Sequence, residues 1–133
     1  VKKVQGSIIN IGSIYGILGQ NENFYKNTNL KENFSYPIIK GALVNYSKQM
    51  ASFYGKYGIR FNLVSPGGIK GNISGSKNKQ NNIFIKKYIS EVPLKRMCKP
   101  SDIANACLFL GSDASSYISG VNLVIDGAIT AKI

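Results

Sequence analysis

Apolar positions along the chain follow two rhythms, and their alternation sets the expected fold. Ser7-Ile8-Ile9-Asn10-Ile11 is a short, mostly apolar run closed by Gly12, the pattern of a strand buried in a parallel sheet. A connection rich in Gly, Asn and Lys follows, through about Phe34. Ile39, Leu43, Tyr46, Met50, Phe53 and Tyr57 then recur at helical spacing, with Ala42 on the same stripe, and predict a long helix stopped by Gly58. Arg60 to Ser65 reads as a second strand, ended by Pro66-Gly67-Gly68. From Lys70 to Asn82 the polar, Gly/Asn/Lys-rich sequence predicts a mobile surface loop, and Ile83 to Ile89 a short helix. Pro100 suits a first helical position and Asp102 a first turn; Ile103, Ala106, Cys107 and Leu110 then form one apolar helical face. Val121 to Ile125 reads as a third strand, followed by Asp126-Gly127.

Strands alternating with helices predict an α/β layered sheet with parallel strands and right-handed crossovers. The chain has room for one domain. A sheet of this kind normally continues beyond its first strand, and no edge protection is legible there. The opening residues, Val1 to Gly6, run straight into a strand without the marks of a secretory signal, and read as the start of a fragment.

Composition narrows the function. Apolar residues make up 44%, as in a globular chain, with no stretch approaching the roughly 20 apolar residues of a membrane span. The net charge of +11 raises a nucleic-acid or anionic-membrane surface. The basic residues are scattered, however (Lys26, Lys31, Lys56, Lys70, Lys86), with no Arg-rich run and no zinc or helix-turn-helix module, so a Lys-rich solvated surface with no nucleic-acid partner is the expectation. Cys98 and Cys107 lack metal-ligand spacing, no His is present, and no metal is expected. Reduced thiols fit a cytoplasmic protein. Without His, the Ser-His-Asp and Cys-His nucleophile systems are excluded, and acid–base chemistry must use another residue.

Tyr36 and Lys40 supply one. Their spacing puts both on one helix face. A phenol titrates near pH 10, too high for efficient exchange at neutrality, and an adjacent ammonium favours the phenolate. Such a pair also arises by chance on solvated helix faces. Two neighbours add weight. Ser13 lies at the C-terminal end of a strand, on the edge where open α/β sheets bind ligands, although it also reads as a turn residue. Pro66-Gly67-Gly68-Ile69 ends the next strand on the same edge, where a backbone freed of side chains can lie close to a flat ligand; alone it reads as a strand terminator. Gly12 through Gly19 has the wrong glycine spacing for a phosphate loop, and no helix follows. Tyr15 reads as a pocket wall or packed ring.

In this order, strand-Ser13, Ser35-Tyr36-Pro37-Ile38-Ile39-Lys40-Gly41-Ala42-Leu43, Gly58 to Ile69, Pro93-Leu94-Lys95-Arg96-Met97, Pro100 to Ala104, Phe109 to Asp113, Ser119-Gly120 and Val124 to Gly127 resemble the short-chain dehydrogenases/reductases over nearly the whole chain. The resemblance implies a Rossmann-like doubly wound parallel sheet, of which residues 1–133 are the C-terminal catalytic half. It also implies an NAD- or NADP-dependent oxidoreductase that interconverts a secondary alcohol and a carbonyl. By this resemblance Ser13, Tyr36 and Lys40 are catalytic. Tyr36 exchanges a proton with the substrate oxygen, Lys40 lowers its pKa and bonds the nicotinamide ribose, and Ser13 polarises the substrate oxygen. Pro66, Gly67, Gly68 and Ile69, with Tyr36 and Lys40, face the cofactor. Residues from about Gly71 to Glu91 correspond to a substrate lid, and the full-length protein is expected to be a homo-oligomer.

Three departures stand against the family pattern. The N-terminal dinucleotide-binding half is absent, so the isolated chain is expected to be inactive. The Ser13-to-Tyr36 interval is long, with Phe24 and Tyr25 in the extra residues near the substrate mouth, and is similar to a bacterial subgroup linked to flagellin or surface-sugar modification. Gly71 stands where many members carry Thr, leaving Asn72 or backbone to substitute. The expected substrate is a sugar or sugar-nucleotide intermediate of surface glycan synthesis. A 3-oxoacyl-carrier-protein reductase and a non-catalytic scaffold subunit are the alternatives.

Overall fold

The computed structural model describes residues 5–71 and 79–132. Its strands are β1 (Gly6–Ile11), β2 (Ile59–Pro66) and β3 (Asn122–Ile125), and its helices α1 (Ser35–Tyr54), α2 (Asn82–Glu91) and α3 (Pro100–Gly111). The strands form one parallel sheet in the order β1-β2-β3, with Ile9 opposite Asn62 and Val64 opposite Leu123. The alternating faces of β2 explain the layers. Phe61 stacks on Tyr54 of α1, with ring centroids 5.4 Å apart, while Val64 joins Ala106 and Leu110 of α3 in a buried cluster. Helices therefore cover both faces, as the sequence leads one to expect of a doubly wound sheet.

The expected handedness needs correction. The sheet steps in one direction, yet α1 and α3 lie on opposite faces, so the two crossovers have opposite hands and cannot both be right-handed. The second connection carries α2 across the strand ends before α3 descends, a path long enough to reach the other face.

The buried face of α1 also differs from the predicted stripe. Ile39, Tyr46 and Phe53 are exposed, as are Ala42 and the neighbouring Ile38. The buried residue of the helix is Ser47, whose hydroxyl accepts a hydrogen bond from Asn10 Nδ2 at 3.0 Å. A small, satisfied hydroxyl allows close approach to the sheet, and periodicity cannot choose between two apolar faces of one helix. Gly58 ends the α1 region as expected, with φ 77° after a 3₁₀ turn over Gly55–Tyr57. Part of the predicted 70–82 loop lies outside the described residues. Its end is ordered by Asn81, which caps α2 by accepting from the N–H groups of Ile83 and Phe84.

Polar side chains tie the layers together at points where hydropathy offers no signal. Asn62 is fully buried; its Nδ2 donates to the Ile118 carbonyl at 2.9 Å and its Oδ1 accepts from Val121 N at 3.1 Å, fixing the approach to β3. The Arg60 guanidinium donates to the carbonyls of Leu110, Ser112 and Ile118, placing a cation at the C-terminal end of α3. At the other end of that helix, Asp102 accepts from Arg96 at 2.6 Å and from Lys99 N at 2.8 Å.

Asn62→Ala removes both hydrogen bonds of a fully buried amide and leaves a void in its place; it is expected to cost roughly 1–3 kcal/mol of stability by chemical denaturation. The Arg96 guanidinium, helped by the Lys99 N–H, lowers the Asp102 pKa from its ordinary 3.8 to about 2. Because the folded value is the lower one, its contribution is present above about pH 4 and is lost as pH falls toward 2. An acid titration of stability is expected to show this loss in the wild type and not in Asp102→Asn.

Candidate active site

The site is built where β1 ends. Gly12 continues the strand, its N–H donating to the Val64 carbonyl at 2.7 Å, and a Cβ there would stand 2.9 Å from Ser65 Oγ. Ser13 follows, 7% exposed, and its Oγ accepts from Tyr15 N at 3.2 Å to start a single 3₁₀ turn, Ile14–Gly16. That turn lies directly on α1: a Cβ on Gly16 would be 2.6 Å from the Lys40 carbonyl oxygen. The glycine is required by close approach, and the approach brings the Ser13 turn to the helix that carries Tyr36 and Lys40.

The start of α1 explains how Tyr36 is presented despite the following proline. Asn33, outside the helix, caps it through Oδ1, accepting from Ser35 N at 3.1 Å, Tyr36 N at 3.2 Å and Ser35 Oγ at 2.7 Å. Pro37 stands in the first turn, where a missing N–H costs little. Tyr36 packs edge-on against Tyr15, with centroids 6.5 Å apart and planes at 75°, and is 40% exposed. Lys40 Nζ lies 5.6 Å from the Tyr36 ring centroid and donates to the Ile11 carbonyl at 3.0 Å. Ser13, Tyr36 and Lys40 are thus gathered at one end of the sheet.

Pro66, Gly67, Gly68 and Ile69 end β2 on the same edge, but their glycines serve a purpose the sequence does not reveal. A Cβ on Gly68 would stand 2.8 Å from Tyr88 Cε1, and one on Gly67 would stand 2.8 Å from Tyr88 Oη. The Gly68 N–H donates to Tyr88 Oη at 2.6 Å. The flat group against this backbone is therefore the chain's own Tyr88, delivered by α2, and a ligand has only the remaining side. Cys98 pairs with the same segment from its edge, its N–H donating to the Gly68 carbonyl and its own carbonyl accepting from Lys70 N. Asn72 lies outside the described residues.

The long interval between Ser13 and Tyr36 carries its own structure. Phe24 is buried against Tyr88, Val92 and Met97, and Phe24 and Tyr25 both meet Phe84 of α2, at 6.3 and 5.8 Å between centroids. Lys87 of α2 donates to the carbonyls of Asn23 and Lys26. Gln20 accepts from Asn33 N through Oε1, which turns its Nε2 to donate to Tyr25 Oη at 3.0 Å. Tyr15 is both a packed ring and a cavity wall, as expected, and its phenol adds a feature that the sequence does not reveal. Its hydroxyl is buried without a hydrogen-bond partner among the described residues, and burial, reinforced by Tyr25, pushes its pKa above the ordinary phenol range. Tyr25 and Tyr88 are also raised, mainly by burial. A cavity of about 330 Å³, lined by Ile14, Tyr15, Leu18, Phe24 and Ile129, adjoins this region, with the Lys132–Glu91 ion pair at 2.8 Å on its wall. A larger one of about 550 Å³ opens at the opposite ends of β1 and β2, around Ser7 and Arg60, remote from Tyr36. Among the described residues no cluster of acidic, Cys or His side chains could hold a metal ion, and no helix is long and apolar enough to cross a membrane.

The sequence family described as enoyl-(acyl carrier protein) reductase matches residues 1–130. A 3-oxoacyl-[acyl-carrier-protein] reductase of Buchnera aphidicola subsp. Schizaphis graminum is 35% identical over 130 residues, covering 97% of this chain and 48% of its own. The post-translational flagellin modification protein A of Campylobacter coli is 33% identical over 125 residues, covering 94% of this chain and 46% of its own. A crystal structure of a short chain dehydrogenase from Leptospira borgpetersenii with bound NAD+ superposes with a TM-score of 0.80 at 38% identity, over 94% of this chain and 44% of that one. The chain belongs to the short-chain dehydrogenase/reductase family. It spans about half the length of the curated relatives it matches.

Gly16→Ala forces a methyl group against the Lys40 carbonyl. A loss of about 1–3 kcal/mol is expected in chemical denaturation, because the turn must lift from α1.

Proposed function

We propose that this chain supplies the proton-transfer and substrate-holding part of an NAD(P)-dependent oxidoreductase that interconverts a secondary alcohol and a carbonyl. The observation that carries the reading is the position of Lys40, beside the Tyr36 ring and tied to the strand end that leads into Ser13. An ammonium placed there sets a positive charge beside the group that would exchange a proton with the substrate oxygen. In the reducing direction the Tyr36 hydroxyl gives its proton to the carbonyl oxygen as negative charge builds on it; in the oxidising direction the phenolate takes the proton back. Ser13, buried at the strand end, holds the same oxygen and fixes it within reach of Tyr36. The hydride is the chemistry of a bound nicotinamide.

The residues present fit such a cofactor. Among the described residues Lys40 has one acceptor, the Ile11 carbonyl, which leaves its other N–H groups for a ribose hydroxyl. Tyr36 is open on its outer side, and Ile69 is 36% exposed beyond the face of the Pro66–Gly68 segment that Tyr88 covers. We assign the adenosine half of the cofactor to residues outside 1–133, in keeping with the half-length match to the relatives, and expect the isolated chain to be inactive. The free thiols fit a cytoplasmic enzyme, and the exposed apolar side of α1 fits a homo-oligomer.

For the substrate we favour a hydroxylated carbonyl of the sugar or sugar-nucleotide kind, supported by the phenols and amide that line the long interval and by the similarity to the flagellin modification protein. A 3-oxoacyl thioester is the second reading, favoured by the similarity to the Buchnera reductase. Tyr36→Phe in the full-length protein is expected to lower kcat/KM by about 10²- to 10⁴-fold with the fold retained. Undiminished turnover by that variant would overturn the mechanism and leave a binding or scaffold role in its place.

A further inference from the structure

The geometry points to Tyr15 as a specificity residue, whose hydroxyl recognises a second, uncharged hydroxyl on the substrate, beside the carbon that reacts. The inference rests on the oxidoreductase reading and adds to it a residue and a chemical constraint.

A buried hydroxyl without a partner is a deficit in the free chain, because it has given up water and received nothing in return. Tyr15 carries such a hydroxyl two residues beyond Ser13, with its ring against Tyr36. Packing alone would be served by phenylalanine, and the polar group beside the oxygen, the Tyr25 hydroxyl, does not meet it at hydrogen-bonding geometry. A ligand oxygen at this point would recover the missing hydrogen bond while its neighbouring carbon faces Ser13 and Tyr36.

What covers the hydroxyl shows how a ligand reaches it. Tyr25 lies beside it without closing a hydrogen bond of proper geometry, and its own phenol oxygen takes the Gln20 amide. Tyr25 is only half-buried and stands in the segment between the Ser13 turn and α1, which packs on α2, so a ligand reaches the Tyr15 hydroxyl when that aromatic unit opens. Substrate entry shifts the Tyr25 ring and lets the incoming oxygen take its place.

The charge of the surroundings selects the group. Burial keeps the Tyr15 phenol neutral, able both to donate and to accept. The group beside that oxygen is another neutral phenol, Tyr25, and a hydroxyl can exchange hydrogen bonds there without carrying a charge into a buried position, as a carboxylate or phosphate would. The substrate class that fits is a hydroxy ketone or the corresponding diol.

The test compares the full-length wild type with Tyr15→Phe on a hydroxy ketone, its deoxy analogue and a 3-oxoacyl thioester. The preference for the hydroxy ketone over the deoxy ketone is expected to fall about three- to tenfold, mostly in KM. The variant's thermal midpoint is expected to rise by about 2–6 °C, because an unsatisfied buried hydroxyl has been removed. An equal loss on both ketones, or a lowered midpoint, would show that Tyr15 acts through packing or an internal bond, and would overturn the proposal. So would a penalty confined to the thioester. If the wild type reduces none of the three, the oxidoreductase reading fails first and takes this inference with it, an outcome distinct from the others.

Discussion

The hydrogen bond from Lys40 to the Ile11 carbonyl joins the first turns of a helix to the last residue of a strand, and the candidate site depends on that junction. It holds the ammonium at the sheet edge rather than in solvent, where a lysine one turn into a helix would otherwise extend. Gly16 completes the junction from the other side by admitting the Ser13 turn to the backbone of Lys40. Both contacts involve backbone carbonyls, so they constrain where the elements lie and leave the reactive ends of Ser13 and Tyr36 unspent.

The same economy of space recurs at the end of β2. Gly67 and Gly68 let Tyr88 lie flat on the backbone, and Tyr88 in turn satisfies the Gly68 N–H. Tyr88 is anchored by Phe24 and Phe84 with centroids 5.3 and 5.9 Å away. The wall behind the candidate cofactor face is therefore an aromatic stack contributed by the long segment after Ser13 and by α2.

Much of this was legible in the sequence because it follows from local pattern. The strands announced themselves as apolar runs closed by glycine or proline, and Pro100 with Asp102 marked the start of α3. Ser13, Tyr36 and Lys40 were singled out by spacing, by their place at element ends and by the family resemblance, and the fold gathers them at one end of the sheet. What the sequence hid were relations between distant residues. The exposed half of the α1 stripe was hidden because Ser47 and Asn10, each unremarkable alone, choose the buried face together. The opposite hands of the crossovers depend on where the second connection passes, which no periodicity encodes. Tyr88 looked like one more apolar position of a short helix; its contact with glycines some twenty positions earlier appears only when the chain is folded. Asn62, a polar residue in the middle of a strand, was one signal of this kind, since a buried amide there demands partners.

The coupling of residues 20–34 to α2 has a dynamic consequence. Rings from both segments interleave, and Lys87 crosses between them to two carbonyls, so neither can open while the other stays shut. Amide protons on the two segments should then exchange with solvent at a common rate, as one cooperative unit distinct from the sheet. Access to the strand ends would be governed by the unfolding free energy of that small aromatic unit, and random loop motion would contribute little.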